Sequence, residues 1–232
     1  MEQASEKDQG GKKVPEFKTF TVPFDLEEIK TNFSISTNTS SQPSKEQIIN
    51  QAFKFQAEGK LLEAAKYYKY FLDQGLNDHK IYTNYGGILQ SLGKLQEAEL
   101  YTHKAIKINP NNANALANLG VILKNLGKVK EAELYTRKAI KINPNLAIAY
   151  LNLGSILKNL GKSQESLNLY LKVIDIDPKC AHIDNSITTL LEYSDLDLFN
   201  REILKNTLNL LLEKNNIDHK KLFKVFNFLY SN

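Results

Sequence analysis

Four asparagines in this 232-residue chain, Asn50, Asn84, Asn118 and Asn152, stand 34 residues apart from one to the next. An asparagine side chain carries a carbonyl acceptor and an NH2 donor, the same pair that a peptide unit carries. A row of them can therefore pair with a polypeptide backbone whatever its side chains. Two lysines, Lys124 and Lys158, recur at the same interval and could meet a carboxylate or a phosphate. Thr83, Gln90, Asn125 and Asn159 fall within two helical turns of these rungs and complete a candidate peptide-binding groove. Catalytic chemistry has no comparable pattern. His79, His103, His182 and His219 are scattered, none in His-Glu-x-x-His spacing, and there is no phosphate-cradling glycine loop. The single cysteine, Cys180, has only His182 near it and reads as buried or capping rather than nucleophilic. The sequence thus assigns no catalytic residue, no metal site and no cofactor.

The interval comes from a repeat. Residues 113–146 recur in close copy at 79–112 and 147–180, sharing Asn84, Asn118 and Asn152, then Gly86, Gly120 and Gly154, then Gly93, Gly127 and Gly161, then Pro110, Pro144 and Pro178. In the middle copy Leu116, Leu119, Ile122 and Leu123 fall at helical spacing and predict a first helix with one apolar face. Gly127 should close it, since glycine takes the left-handed conformation that ends helices. Ala132, Tyr135, Ala139, Ile140 and Ile142 predict the inner face of a second helix, which Pro144 cannot continue. Gly120, Ala132 and Ala139 are small where the two helices should approach. One such hairpin leaves much of its apolar surface in water, so the copies must stack, each touching its neighbours.

Residues 45–78 read as a weaker first copy. Ala52 stands for the first glycine, Gly59, Glu63 and Ala64 keep the pattern, and Leu76 replaces the proline. Ser44 with Gln47 three residues on predicts a capping box. A period of 34 with these glycines, alanines and prolines resembles the tetratricopeptide repeat. That resemblance implies an all-α fold, a right-handed superhelical α-solenoid of four repeats at 45–78, 79–112, 113–146 and 147–180. It also implies a concave face, lined by first helices, that holds an extended peptide or a partner helix. The asparagine row is similar to the ladder in the repeat region of O-linked N-acetylglucosamine transferases. The lysine, arginine and asparagine clamp for chaperone C-termini is not matched, because Ile49 and Phe53 stand at its early positions.

Residues 1–44 differ in kind. Charged and polar residues run from Glu2 to Lys13, Pro15, Pro23 and Pro43 interrupt the segment, and Asn32 to Ser44 is rich in Ser, Thr and Asn. The segment is expected to be a disordered tail. Its apolar cluster, Phe17 to Ile29, is expected to fold back on an edge of the solenoid, and the sequons at Asn32 and Asn38 to be chance. No secretory signal or membrane span is read, which with one cysteine suggests a cytoplasmic protein.

After Cys180 the period fades into a helical cap at 181–232. Ile183, Ile187, Leu190 and Leu191 predict a further first helix, and 198–212 a second with Ile203, Leu204, Leu208, Leu211 and Leu212 buried. Asp218 is expected to cap a last helix so apolar that Phe223, Phe226 and Tyr230 become candidate docking residues, for a transferase domain or for a second copy in a homodimer.

A net charge of +4 does not call for nucleic acid. Lys104, Lys107, Arg137, Lys138 and Lys141 do form a band on the second helices, but Glu97, Glu99, Glu131 and Glu133 lie on the same helices and suggest a soluble surface. The functional expectation is a non-enzymatic scaffold or adaptor that binds a protein or peptide. The alternative is the targeting module of a glycosyltransferase, sulfotransferase or methyltransferase.

Overall fold

The 34-residue pattern is realised as helices that alternate in role. In the computed structural model, residues 44–180, 183–214 and 217–231 are described. The expectations for the N-terminal tail, its apolar cluster and its two sequons lie outside the described residues, as does His182. Every regular element among the described residues is helical: α1 Lys45–Ala57, α2 Leu61–Asp73, α3 His79–Ser91, α4 Leu95–Ile108, α5 Ala113–Asn125, α6 Val129–Ile142, α7 Ala147–Asn159, α8 Ser163–Ile176, α9 Ile183–Tyr193, α10 Arg201–Leu212 and α11 Phe223–Tyr230. Consecutive helices from α1 to α8 pair as hairpins, and each second helix also touches the next first helix. First helices stand side by side, α5 against both α3 and α7, and α9 against α7. The architecture is an all-α solenoid of stacked helical hairpins.

The turn inside each hairpin depends on one backbone conformation. Gly127 has φ +79°, a region that costs an L-residue about 1–2 kcal/mol. There it lets the Lys128 N–H reach back to the Leu123 carbonyl at 2.8 Å and the Gly127 N–H to the Lys124 carbonyl at 3.0 Å. This is the Schellman closure of α5. At the first helix, the Ser44 hydroxyl accepts from the Gln47 N–H at 3.2 Å while the Gln47 side chain accepts from the Ser44 N–H at 2.8 Å. The anticipated capping box is thus formed.

Inside the hairpin, Gly120 lies so close to α6 that a Cβ there would overlap the Thr136 hydroxyl and come within 3.3 Å of the Ala132 carbonyl. Ala132 and Ala139 are fully buried, as their size suggests. Tyr135, Ile140 and Ile142 are only partly buried, and Thr136, which the apolar pattern passes over, is fully buried instead. Residues 132, 136 and 139 line one helical face at the contact, and the Thr136 hydroxyl is satisfied by the Ala132 carbonyl at 2.7 Å. The two outer hairpins use tyrosine where the inner ones use threonine: Tyr68 and Tyr170 are buried in register with Thr102 and Thr136.

The C-terminal helices continue the core. Leu167, Tyr170 and Val173 of α8 cluster with Ile183, Ile187, Leu190 and Leu191 of α9, then with Leu204, Leu208 and Leu211 of α10 and Val225 and Leu229 of α11. The tenth helix begins at Arg201 rather than at Leu198, because the Asn200 side chain caps it by accepting from the Ile203 N–H at 3.0 Å. Leu198 is exposed in a 3-10 turn, Leu212 is exposed, and Thr207 joins the buried stripe, its hydroxyl returned to the Ile203 carbonyl at 2.7 Å. Asp218 caps the 3-10 turn His219–Leu222, and α11 follows it. Arg201 fixes that last helix by donating to the Leu229 carbonyl at 2.7 Å.

Candidate functional site

The first helices carry the asparagine rungs at one register. Asn84, Asn118 and Asn152 sit half-buried on α3, α5 and α7, and Asn50 is exposed on α1. The Asn84 amide lies 3.5 Å from the Tyr68 hydroxyl, which is itself held by Gln56. The Asn118 amide nitrogen stands 3.5 Å from where a Cβ on Gly87 would be, so the absent side chain on α3 makes room for the rung on α5. Among the described residues, the side chains of Asn50, Asn118 and Asn152 have no hydrogen-bond partner. Their amides are therefore open to a ligand at no cost of breaking an internal bond.

Thr83 does not belong with them. It is only 6 % exposed. Its hydroxyl donates to the His79 carbonyl at 2.7 Å and accepts from the Asn112 amide at 3.0 Å. Asn112 is also the N-cap of α5, accepting from the Ala115 N–H at 3.1 Å. Thr83 thus ties one repeat to the next and cannot face a ligand. Gln90 is half-buried on α3, and Asn125 and Asn159 are exposed at the ends of α5 and α7.

A cleft of about 340 Å3 opens over α5, α7 and α9. Its walls bring together Lys124, Asn152, Ser155 and Lys158 with Asn185, Ser186 and Thr189, and Leu151 and Tyr170 supply apolar surface. Lys124 donates to the Ser155 hydroxyl at 3.1 Å. Burial lowers the Lys124 ammonium pKa from its ordinary value, and the like charge of Lys158 adds to the effect. The α9 contribution was hidden in the sequence because its residue types change. By number, Ser186 is one further interval of 34 past Asn152 and Thr189 one past Ser155, so the rung continues as a hydroxyl. Glu192 takes the lysine register on α9, which confines the basic pair to α5 and α7.

Along the second helices and the turns that lead into them, several cations meet carboxylates. Lys128 pairs with Glu99 at 2.7 Å and Lys162, one repeat later, reaches Glu133 at 3.7 Å, while Arg137 meets Glu133 at 2.7 Å and Glu165 at 3.5 Å. The cation of each pair is exposed, and such pairs are worth little in stability. Of the expected band, Arg137 alone takes part in them; Lys104, Lys107, Lys138 and Lys141 do not. Burial pushes the Cys180 thiol pKa up, with Asp177 and Asp184 adding to it, which disfavours the thiolate. Among the described residues no group of His, Cys, Asp and Glu could hold a metal ion, and no helix is long and apolar enough to cross a membrane.

At the far end, Leu222, Val225 and Leu229 turn into the core while Phe223, Phe226 and Tyr230 stay 64 %, 47 % and 48 % exposed. Their free surface is on the order of 300 Å2 for three aromatic side chains. A stable pair of proteins buries about 800 Å2 on each partner. The chain is therefore expected to run as a monomer at micromolar concentration in size-exclusion with light scattering. A dimer mass that reverts to monomer in the variant Phe223→Ser with Phe226→Ser would show that this estimate misses an interface.

Comparison with known proteins agrees with this architecture. Models of the tetratricopeptide repeat match residues 79–112, 113–146 and 147–180. Over these residues the chain carries tetratricopeptide repeats, generally non-catalytic units typical of protein–protein interaction. Among solved structures, the chain is similar to PilF of Pseudomonas aeruginosa (TM-score 0.63, 16 % identity, covering 79 % of this chain and 84 % of that one). It is similar also to a tetratricopeptide repeat protein of Parabacteroides merdae (TM-score 0.58, 21 % identity, 80 % and 72 %). A third, YrrB, is described as having an unusual peptide-binding site (TM-score 0.57, 22 % identity, 79 % and 92 %). At these identities the likeness is one of fold. No curated protein sequence matches the chain. A specific kinship with O-linked N-acetylglucosamine transferases gains no support from these comparisons, and the ladder alone does not carry it.

Proposed function

We propose that the chain is a scaffold whose first-helix face binds an extended segment of a partner protein. The observation that carries this reading is the row of Asn118 and Asn152 amides, in register and without internal partners, continued by Asn84 and Asn50. Packed helices stand about 8–10 Å apart. An extended chain advances about 3.3–3.6 Å per residue, so successive rungs would meet its backbone roughly every third residue. Backbone recognition of this kind is indifferent to sequence. It is also weak: at about 0.5–1.5 kcal/mol net per hydrogen bond, a few rungs fall short of the ~8 kcal/mol of a micromolar complex. Selectivity must come from other groups on the same face.

The test is capture of partners from lysate by the intact chain and by the variant Asn84→Ala, Asn118→Ala, Asn152→Ala. The variant should melt within a few degrees of the parent, because only Asn84 has an internal contact and that contact is long. Partners that bind the parent and are lost by at least about tenfold in the variant support the reading; tenfold, about 1.4 kcal/mol, is the low end of what removing three rungs should cost. Equal capture by both proteins would reduce the row to a packing feature.

A further inference from the structure

The cleft over α5, α7 and α9 is chemically one-sided. Lys124 and Lys158 bring two ammonium groups, Ser155 and Thr189 bring hydroxyls, and Asn152 and Asn185 bring NH2 donors. Among the described residues, no acidic side chain lines it. Among the described residues, neither lysine has a carboxylate within ion-pair distance, whereas Lys94, Lys128 and Lys162, at the turns that lead into the second helices, do. Lys124 spends one proton on the Ser155 oxygen, which leaves the Ser155 hydroxyl proton for a further acceptor. Tyr170 and Leu151 give the floor an apolar patch that strengthens any charge interaction above it.

We propose that this cleft is an anion-recognition site and that it takes the phosphoryl group of a phosphorylated serine or threonine in the partner segment. The assignment rests on the reading of the first-helix face as a peptide groove and supplies the selectivity that the asparagine rungs lack. A carboxylate offers two oxygens, whereas a phosphoryl group offers three strong acceptors and nearly two negative charges at neutral pH. Two cations with two hydroxyl donors around one cleft match the phosphoryl group in number and in charge. The phosphoryl oxygens accept from Lys124, Lys158, Ser155 and Thr189, while Asn152 remains on the rung that holds the neighbouring backbone. The chemistry is binding only, with no bond made or broken.

The test uses the full chain labelled with nitrogen-15 and two kinds of probe. In the first, inorganic phosphate is titrated and backbone amide shifts are followed. Shifts concentrated at Asn152, Ser155, Lys158, Asn185 and Thr189, and absent in Lys124→Met with Lys158→Met, are expected. In the second, three mixed-sequence peptides differing only in a central phosphoserine, glutamate or serine are compared by fluorescence anisotropy. The phosphoserine peptides should bind at least about tenfold more tightly than the serine peptides, the worth of one charge-assisted hydrogen bond. The preference should vanish in the methionine variant and survive in Lys124→Arg with Lys158→Arg, which keeps both charges. Phosphate shifts spread evenly over the surface would overturn the site. Glutamate peptides equal to phosphoserine peptides would overturn the phosphoryl assignment in favour of a carboxylate. Localised phosphate shifts without any preference for phosphopeptides would make it a site for free anions, unconnected with the groove. The groove itself stands or falls separately, on the variant Asn84→Ala with Asn118→Ala, which leaves Asn152 and both lysines of the cleft in place.

Discussion

Gly154→Ala should destabilise the protein by about 2 kcal/mol, although alanine is the better helix former by about 1 kcal/mol. A Cβ at Gly154 would fall inside the contact shell of the Tyr170 ring, 2.7 Å from Cδ1 and closer still to Cε1. The ring cannot withdraw, because Tyr170 is 2 % exposed and packs in the cluster that joins α8 to α9, α10 and α11. Overpacking of this kind costs about 1–3 kcal/mol, and a rigid ring places the cost at the upper end. Gly120→Ala should be milder, since the Thr136 hydroxyl it meets can rotate, leaving the 3.3 Å approach to the Ala132 carbonyl as the residual strain. The first hairpin provides an internal contrast. There Ala52 already faces the buried Tyr68. Among the described elements α1 has no first helix before it and can settle farther from α2, whereas α7 is held on one side by α5 and on the other by α9. Denaturant unfolding of the three single variants, Gly154→Ala, Gly120→Ala and Ala52→Gly, measures the ranking. A Gly154→Ala protein as stable as the parent would mean that α7 shifts freely in the stack.

These contrasts also explain how much could be read before the structure. The repeat was legible because its signals are local: a glycine with φ near +75° at each hairpin turn, a small residue (Ala64, Ala98, Ala132, Ser166) at each close approach, and Pro110, Pro144 and Pro178 past the second helices of the last three copies. Ser44 with Gln47 was legible for the same reason. Thr136 was not, because a buried threonine that satisfies its own hydroxyl four residues back has no apolar signature. Thr83 was not legible as a packing residue because helical register puts it next to a groove position, and its tie to the Asn112 amide spans 29 residues. The start of α10 at Arg201 turned on the cap formed by Asn200, which outweighs the apolar pull of Leu198. The cleft was half legible. Lys124 and Lys158 repeat visibly, but Ser186 and Thr189 continue the register with different residue types, and identity-based periodicity stops at Cys180.

That continuation makes α9 both a wall of the cleft and the link between repeats and cap, and it sets the largest expected effect. Ile187 is fully buried on α9, between α8 and the last two helices. Ile187→Asp would place a carboxylate there with no partner, a defect that costs at least about 3 kcal/mol. In a stack where each unit is stabilised mainly by its neighbours, such a loss need not unfold the whole chain. The expectation is local: amides of α9, α10 and α11 should lose exchange protection together, α8 should follow because Leu167, Tyr170 and Val173 lose their cover, and α3 to α6 should keep most of theirs. Hydrogen exchange resolved by segment measures this directly. The same variant should bind the anion probe no better than the parent missing both lysines, since Asn185 and Thr189 leave the cleft with α9. Uniform loss of protection from α1 to α11 would instead show that the described unit folds as one cooperative block, with coupling between repeats stronger than nearest-neighbour packing provides.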